Sequence, residues 1–196
     1  MFHQVPDSVQ RRMLYLEEVD ARDRGDGTPR LDRLRQISPE TGRFVAMLAA
    51  AAPPGQVLEV GASGGYSSLW LGLACRQRGD RLVTFEILGS KAALARETLE
   101  AAQFEQVITI VQGDALRHIQ DYPSIAFCFL DAEKEVYQDC YDLVVPNLLP
   151  GGILIADNVI SHVEELRPFV DAAQADERLD ALVLPVGKGL LFCRKA

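Results

Sequence analysis

Four carboxylates attract attention by their placement. Glu86, Asp114, Asp131 and Asp157 each end, or closely follow, a short apolar run of the chain. If those runs are strands of an open α/β sheet, the acids share the rim where such sheets bind ligands, beyond the carboxyl ends of the strands and where the strand order reverses. Any one of them taken alone reads as a helix cap or a turn residue, but four at successive strand ends read as a site. The turn after the first run, Glu59-Val60-Gly61-Ala62-Ser63-Gly64-Gly65-Tyr66-Ser67, supplies glycines that let backbone approach a ligand a Cβ atom would exclude. Glu86 follows Gly61 by 25 residues, where a carboxylate can accept hydrogen bonds from both hydroxyls of a ribose. The dinucleotide spacing G-x-G-x-x-G fails from Gly61, since positions 63 and 66 are Ser and Tyr. No G-x-x-x-x-G-K-[ST] loop is present either, which argues against a nucleoside triphosphate.

The elements that would hold these residues alternate. Apolar, β-branched runs fall at 57–60, 81–85, 107–111, 125–130 and 153–156, with helical patterns at 66–78, 89–103, 115–121 and 133–145. Continuous apolar strands alternating with helices indicate βαβ units and a parallel sheet covered on both faces. A helix at 162–175 follows, then runs 182–186 and 190–194 joined by Gly187-Lys188-Gly189. A connection that short requires a hairpin, so the last strand is antiparallel. Upstream, a helix at 7–21 is separated by the charged stretch 22–30 from a second helix opened by Ser38-Pro39, an N-cap serine with proline at the first helical position. The fold class expected is α/β: a doubly wound, Rossmann-like, mostly parallel sheet with its last strand reversed, in one domain over 1–196 with 1–36 as a helix-and-loop extension.

Composition narrows the partners. The 196 residues are 48% hydrophobic and 24% charged, which excludes collagen, coiled coil and a disordered chain. Net charge is −8, which argues against nucleic acid or an anionic membrane and favours a small molecule. No apolar stretch reaches membrane-spanning length, and the start of the chain is unlike a signal peptide, so a cytoplasmic protein is expected. Cys75, Cys128, Cys140 and Cys193 are scattered without a C-x-x-C pair and read as core residues.

Ile37-Ser38-Pro39-Glu40-Thr41-Gly42, Leu58-Glu59-Val60-Gly61 with Gly65-Tyr66-Ser67, Gly113-Asp114-Ala115, Leu130-Asp131-Ala132-Glu133-Lys134 and Pro150-Gly151-Gly152 leading to Asp157-Asn158-Val159 together resemble the cation-dependent O-methyltransferases of catechol and caffeoyl-CoA type. The motifs keep the family's order across residues 35–195. The resemblance implies a seven-stranded sheet of order 3-2-1-4-5-7-6 and S-adenosylmethionine as cofactor. It places Ile37, Glu59, Gly61, Ser63 and Ser67 around the methionine part, Glu86 on the ribose, and Asp114 and Ala115 at the adenine. It makes Asp131, Asp157 and Asn158 ligands of Mg²⁺ or another hard divalent cation, with Asp131 also near the cofactor's amino group. Lys134 matches the family lysine beside the reacting oxygen. A homodimer, and pairing or lidding by the N-terminal helix and the 22–30 loop, are also implied.

The residue types suit that chemistry. Two carboxylates and an amide oxygen are hard ligands, and a bound dication acidifies a coordinated hydroxyl. Lys134 could take the hydroxyl proton or stabilise the oxyanion, given desolvation or a nearby dication; as catalytic residues we therefore single out Lys134 and Asp131. The expected activity is methyl transfer to a hydroxyl of a small catechol- or phenol-like molecule. The competing readings are a metal-independent methyltransferase and a non-catalytic S-adenosylmethionine-binding protein; a nicotinamide oxidoreductase is disfavoured by the glycine spacing. Ser161-His162-Val163-Glu164 reads as a capping box, leaving His162 exposed in a first turn. Trp70 reads as core, and His3 and His118 have no readable partner. Two departures from the family bear on the acceptor: the short connection after Asn158, and Lys188 where an acid is common.

Overall fold

The computed structural model describes Phe2 and residues 4–196; His3 lies outside them. Seven strands, β1 (Gln56–Val60), β2 (Leu82–Glu86), β3 (Ile108–Gln112), β4 (Ile125–Leu130), β5 (Leu148–Ala156), β6 (Leu179–Leu184) and β7 (Leu190–Lys195), form one sheet ordered β3-β2-β1-β4-β5-β7-β6. β1 to β5 run parallel to one another, and β7 is antiparallel to both β5 and β6. The doubly wound sheet with its reversed last strand is the one read from the run pattern, and its order is the one the family resemblance implies.

Strand alternation builds two cores. On β4, Phe127 and Phe129 pack to one side while Cys128 and Leu130 pack to the other, as the two-residue period requires. The first side carries α1 (Asp7–Asp23), α2 (Pro39–Ala51), α3 (Tyr66–Arg78) and α4 (Gly89–Ala102); the second carries α5 (Tyr137–Val144) and α6 (Val163–Gln174). α1 belongs to its core through Val9, Met13 and Leu16. All four cysteines are buried and free, and Trp70 is core, with its ring 2.2 Å from where a Cβ on Gly42 would lie. Among the described residues no helix is long and apolar enough to cross a membrane.

Register levels the strand ends. Phe85 pairs with Val60, Val60 with Leu130, and Leu130 with Ala156, so the residues that follow emerge along one rim. Five details differ from expectation. β5 starts five residues earlier than the run read at 153–156, at Leu148, and β6 spans Leu179–Leu184 where 182–186 was expected. The helix expected at 115–121 is two short 3-10 turns, Ala115–Arg117 and Ile119–Asp121, because Asp114 caps Leu116 and tightens the turn. The helix expected at 133–145 opens with a 3-10 turn, Lys134–Val136, and gives way before Pro146. The capping box is absent: α6 begins at Val163 with no side-chain cap, because the turn closed by the His162 amide on the Asn158 carbonyl takes Ser161 into its middle, where its hydroxyl meets that same carbonyl. The N-cap at Ser38 is present, accepting from the Thr41 amide at 3.1 Å.

Candidate active site

The rim opens into a cavity of about 500 Å³. Its floor is the β1–α3 turn. Gly61, at φ 101°, lies so close to the end of β4 that a Cβ would sit 2.2 Å from the Asp131 carbonyl oxygen. Ser63 follows in the left-handed region and gives its amide to Glu86 Oε2 at 2.7 Å, while the Leu88 amide donates to Oε1 at 2.8 Å. Each carboxylate oxygen of Glu86 therefore spends one acceptor site on backbone and keeps another for a ligand. Asp114 divides its role similarly, with Oδ1 capping Leu116 at 3.0 Å. Ile37, Gly61, Ser63, Ser67, Glu86, Asp114 and Ala115 all line this space.

Glu59 does not. Its side chain is completely buried beneath the floor, where Ser68 donates to Oε2 and Oε1 has no partner. Burial pushes its pKa to about 7, against the lowering pull of the Ser67, Ser68 and Thr84 hydroxyls. The structure thus puts it below the cavity floor rather than among the residues that line the cavity.

Beyond β4 and β5 lie the remaining acids. Asn158 donates from Nδ2 to Asp131 Oδ1 at 2.8 Å, and both line the cavity with Lys134. Asp157 lies behind them, nearly inaccessible, with Oδ1 unpartnered. Burial and the charge of Asp131 both push its pKa up. Asn158 holds φ 71°, a left-handed conformation asparagine tolerates better than most residues. The β6–β7 turn braces this loop: the Lys188 carbonyl accepts from the Ile160 and Ser161 amides, and the Gly189 carbonyl from Val159. Lys134 Nζ donates to the Ala132 carbonyl at 2.9 Å and to Tyr137 Oη at 2.7 Å, and lies 3.6 Å from Asp131 Oδ1. Burial lowers its pKa while Asp131 and Asp157 oppose that shift. Tyr137 in turn donates to the Asp157 carbonyl at 3.0 Å, so one buried hydroxyl links the ends of β4 and β5.

These groups suit a hard cation. Two mutually repelling carboxylates, one with an orphaned buried oxygen, stand beside an amide able to present oxygen after a flip. Among the described residues no three His, Cys, Asp or Glu side chains converge, so such an ion would take two carboxylates, the Asn158 amide and water.

Further residues complete the cavity. Residues 30–37 roof the cavity, joined by Lys91, whose Nζ donates to the Arg33 carbonyl, and by Ser63 Oγ, which donates to the Leu34 carbonyl at 2.9 Å. Burial lowers the pKa of Lys91, aided by the charge of Arg35. Glu133 accepts from Arg35 at 2.5 Å and Arg30 at 3.1 Å; partial burial acts the other way, but those guanidiniums hold its pKa below the ordinary value. His162 and Lys188 line the cavity near Asn158. His118 stacks on Phe85 with ring centroids 6.4 Å apart.

Residues 24–196 match the model of a family described as O-methyltransferase. A catechol O-methyltransferase of Niastella koreensis is 31% identical over 154 residues, covering 75% of this chain and 69% of that one. Caffeoyl-CoA O-methyltransferase 2 of Zea mays is 26% identical over 187 residues, covering 83% and 70%. Among solved structures, an O-methyltransferase from Bacillus cereus in complex with SAH superimposes with a TM-score of 0.78 at 25% identity, covering 95% of this chain and 91% of the other.

Proposed function

Because this chain belongs to the O-methyltransferase family and is an S-adenosylmethionine-dependent enzyme, we propose that it methylates a hydroxyl of a small catechol- or phenol-like acceptor with the help of a divalent cation. One observation carries the reading: the acid that suits a ribose, Glu86, and the cluster Asp131, Lys134 and Asn158 line a single cavity, backed by the unpartnered carboxylate oxygen of Asp157. The names of the catechol and caffeoyl-CoA relatives support the acceptor class.

In this reading Glu86 takes the ribose hydroxyls with its free acceptor sites, while Asp114 and Ala115 border the adenine. The methionine part runs along Gly61, Ser63 and Ser67, where glycine at 61 lets the turn lie against the end of β4. Glu59 supports that stretch from below. Asp131, Asp157 and Asn158 hold the cation, Mg²⁺ by the hardness of the donor set. When bound, S-adenosylmethionine supplies the electrophilic methyl group and the cation acidifies the acceptor hydroxyl. Lys134 Nζ, with its pKa lowered by burial, takes the hydroxyl proton, and Tyr137 keeps that nitrogen in place. Orientation of donor and acceptor by these fixed groups provides much of the acceleration expected for an in-line displacement.

A methyl-transfer screen over catechols and phenols, with Mg²⁺, with Mn²⁺ and after exhaustive EDTA treatment, tests the proposal. Turnover that needs a divalent ion is expected. Full turnover after chelation would instead favour the metal-independent reading, and cofactor binding with no turnover on any acceptor would favour a binding protein.

A further inference from the structure

The roof over the cavity has unequal supports. On one side the Lys91 ammonium, Ser63 Oγ and the Asp23 carboxylate hold the backbone of Arg33 and Leu34, and Leu34 and Ile37 are buried. Across the cavity, the side chain that receives the roof is Glu133, whose two oxygens take Arg30 Nη2 and Arg35 Nη2. Arg35 adopts φ 51°, a left-handed conformation that a non-glycine residue keeps where its surroundings over-determine it, and its guanidinium pairs with Glu133. Glu133 itself lies on the loop after β4, between Asp131 and Lys134. It joins roof and reacting end through a surface ion-pair network, with Arg30 60%, Arg35 36% and Glu133 37% exposed.

We infer that Glu133 is a positioning residue: by pairing with Arg30 and Arg35 it holds the 30–37 roof against the loop that carries Asp131 and Lys134, and so sets how fast the cofactor enters and leaves. The inference rests on reading the cavity as the cofactor site and needs neither the cation nor a known acceptor. Exposed pairs of this kind are weak individually and screened by salt, so the latch is a rate device of moderate size.

Stopped-flow displacement of S-adenosylhomocysteine tests it. Glu133→Gln should release the ligand about three- to tenfold faster, a change in keeping with two exposed ion pairs. Association should accelerate as well, so the dissociation constant moves less than the dissociation rate. The double variant Arg30→Ala/Arg35→Ala should match Glu133→Gln, and the triple variant should go no further, because the groups act as one unit. Salt at about 1 M, where the screening length is about 3 Å, should speed release from the wild type and leave Glu133→Gln nearly unchanged. Limited trypsin digestion reads the roof without ligand: cleavage after Arg30, Arg33 and Arg35 should be faster in Glu133→Gln at an unchanged melting temperature. A Glu133→Gln release rate equal to that of the wild type, or one keeping the wild-type salt response, would overturn the latch. Wild-type protein that binds no S-adenosylhomocysteine would overturn the cofactor-site reading and residence control with it, while an unchanged digestion rate would independently refute the roof attachment.

Discussion

Glu86→Ala gives the most direct measure of the cofactor assignment. The Glu86 carboxylate already receives the Ser63 amide at 2.7 Å and the Leu88 amide at 2.8 Å. Its remaining acceptor sites face the cavity, and two ribose hydroxyls would use them. Hydrogen bonds to a charged acceptor contribute about 1.5–3 kcal/mol each, so losing two should cost roughly 3–6 kcal/mol, a weakening of about a hundredfold to ten thousandfold. Calorimetric titration with S-adenosylhomocysteine measures that loss. The variant also frees two backbone amides, and a collapsed turn could weaken binding without any ribose contact. A 2′-deoxy analogue separates the two causes: the wild type should discriminate against it, whereas Glu86→Ala should bind ribose and deoxyribose forms alike. Undiminished discrimination in the variant, or an unchanged affinity, would show that another group holds the sugar.

The other predictions address floor and rim. Glu59 has a folded-state pKa of about 7 against an ordinary 4.5, so the stability it contributes is complete below the unfolded value and is lost as pH rises through 7; the loss should total about 3 kcal/mol by pH 8. Glu59→Gln should remove that slope, and urea unfolding curves for the two proteins that run parallel between about pH 5 and 8 would contradict the assignment. Asp157→Ala should abolish divalent-dependent turnover while leaving S-adenosylhomocysteine affinity nearly intact, whereas Asp131→Ala should damage both; the reading fails if Asp157→Ala retains chelator-sensitive activity. Gly61→Ala must place a Cβ 2.2 Å from the Asp131 carbonyl oxygen at φ 101°, and a melting curve should show a loss of at least about 2 kcal/mol.

What the sequence made legible follows from how local each signal is. The strand ends could be read because β1, β2 and β4 are mostly apolar, buried runs stopped by polar or glycine residues, and register then set Glu86, Asp131 and Asp157 on one edge. The reversed β7 was legible from the short connection around Gly187-Lys188-Gly189, which spans residues 185–189 in the structure. Glu59 shows where a type-and-spacing argument stops: period two on β1 puts it on the face of Val57, inside the core and below the cavity that Val60 and Gly61 line. The 22–37 stretch was opaque for another reason. Its charges pair at long range, with Glu133 about a hundred positions downstream of Arg30 and Arg35 and Lys91 reaching back to Arg33, and no periodicity encodes such partners. The failed capping box at Ser161 is the same lesson at short range, because the pattern fits but the left-handed Asn158 spends the serine elsewhere. Two linkages converge on the loop after β4. Tyr137 ties Lys134 to the Asp157 carbonyl, and Glu133 ties the same loop to the roof. On the proposed function, a displacement of that loop would reach cofactor access and the cation cluster together, which would make residues 131–137 the segment where binding and chemistry are coupled.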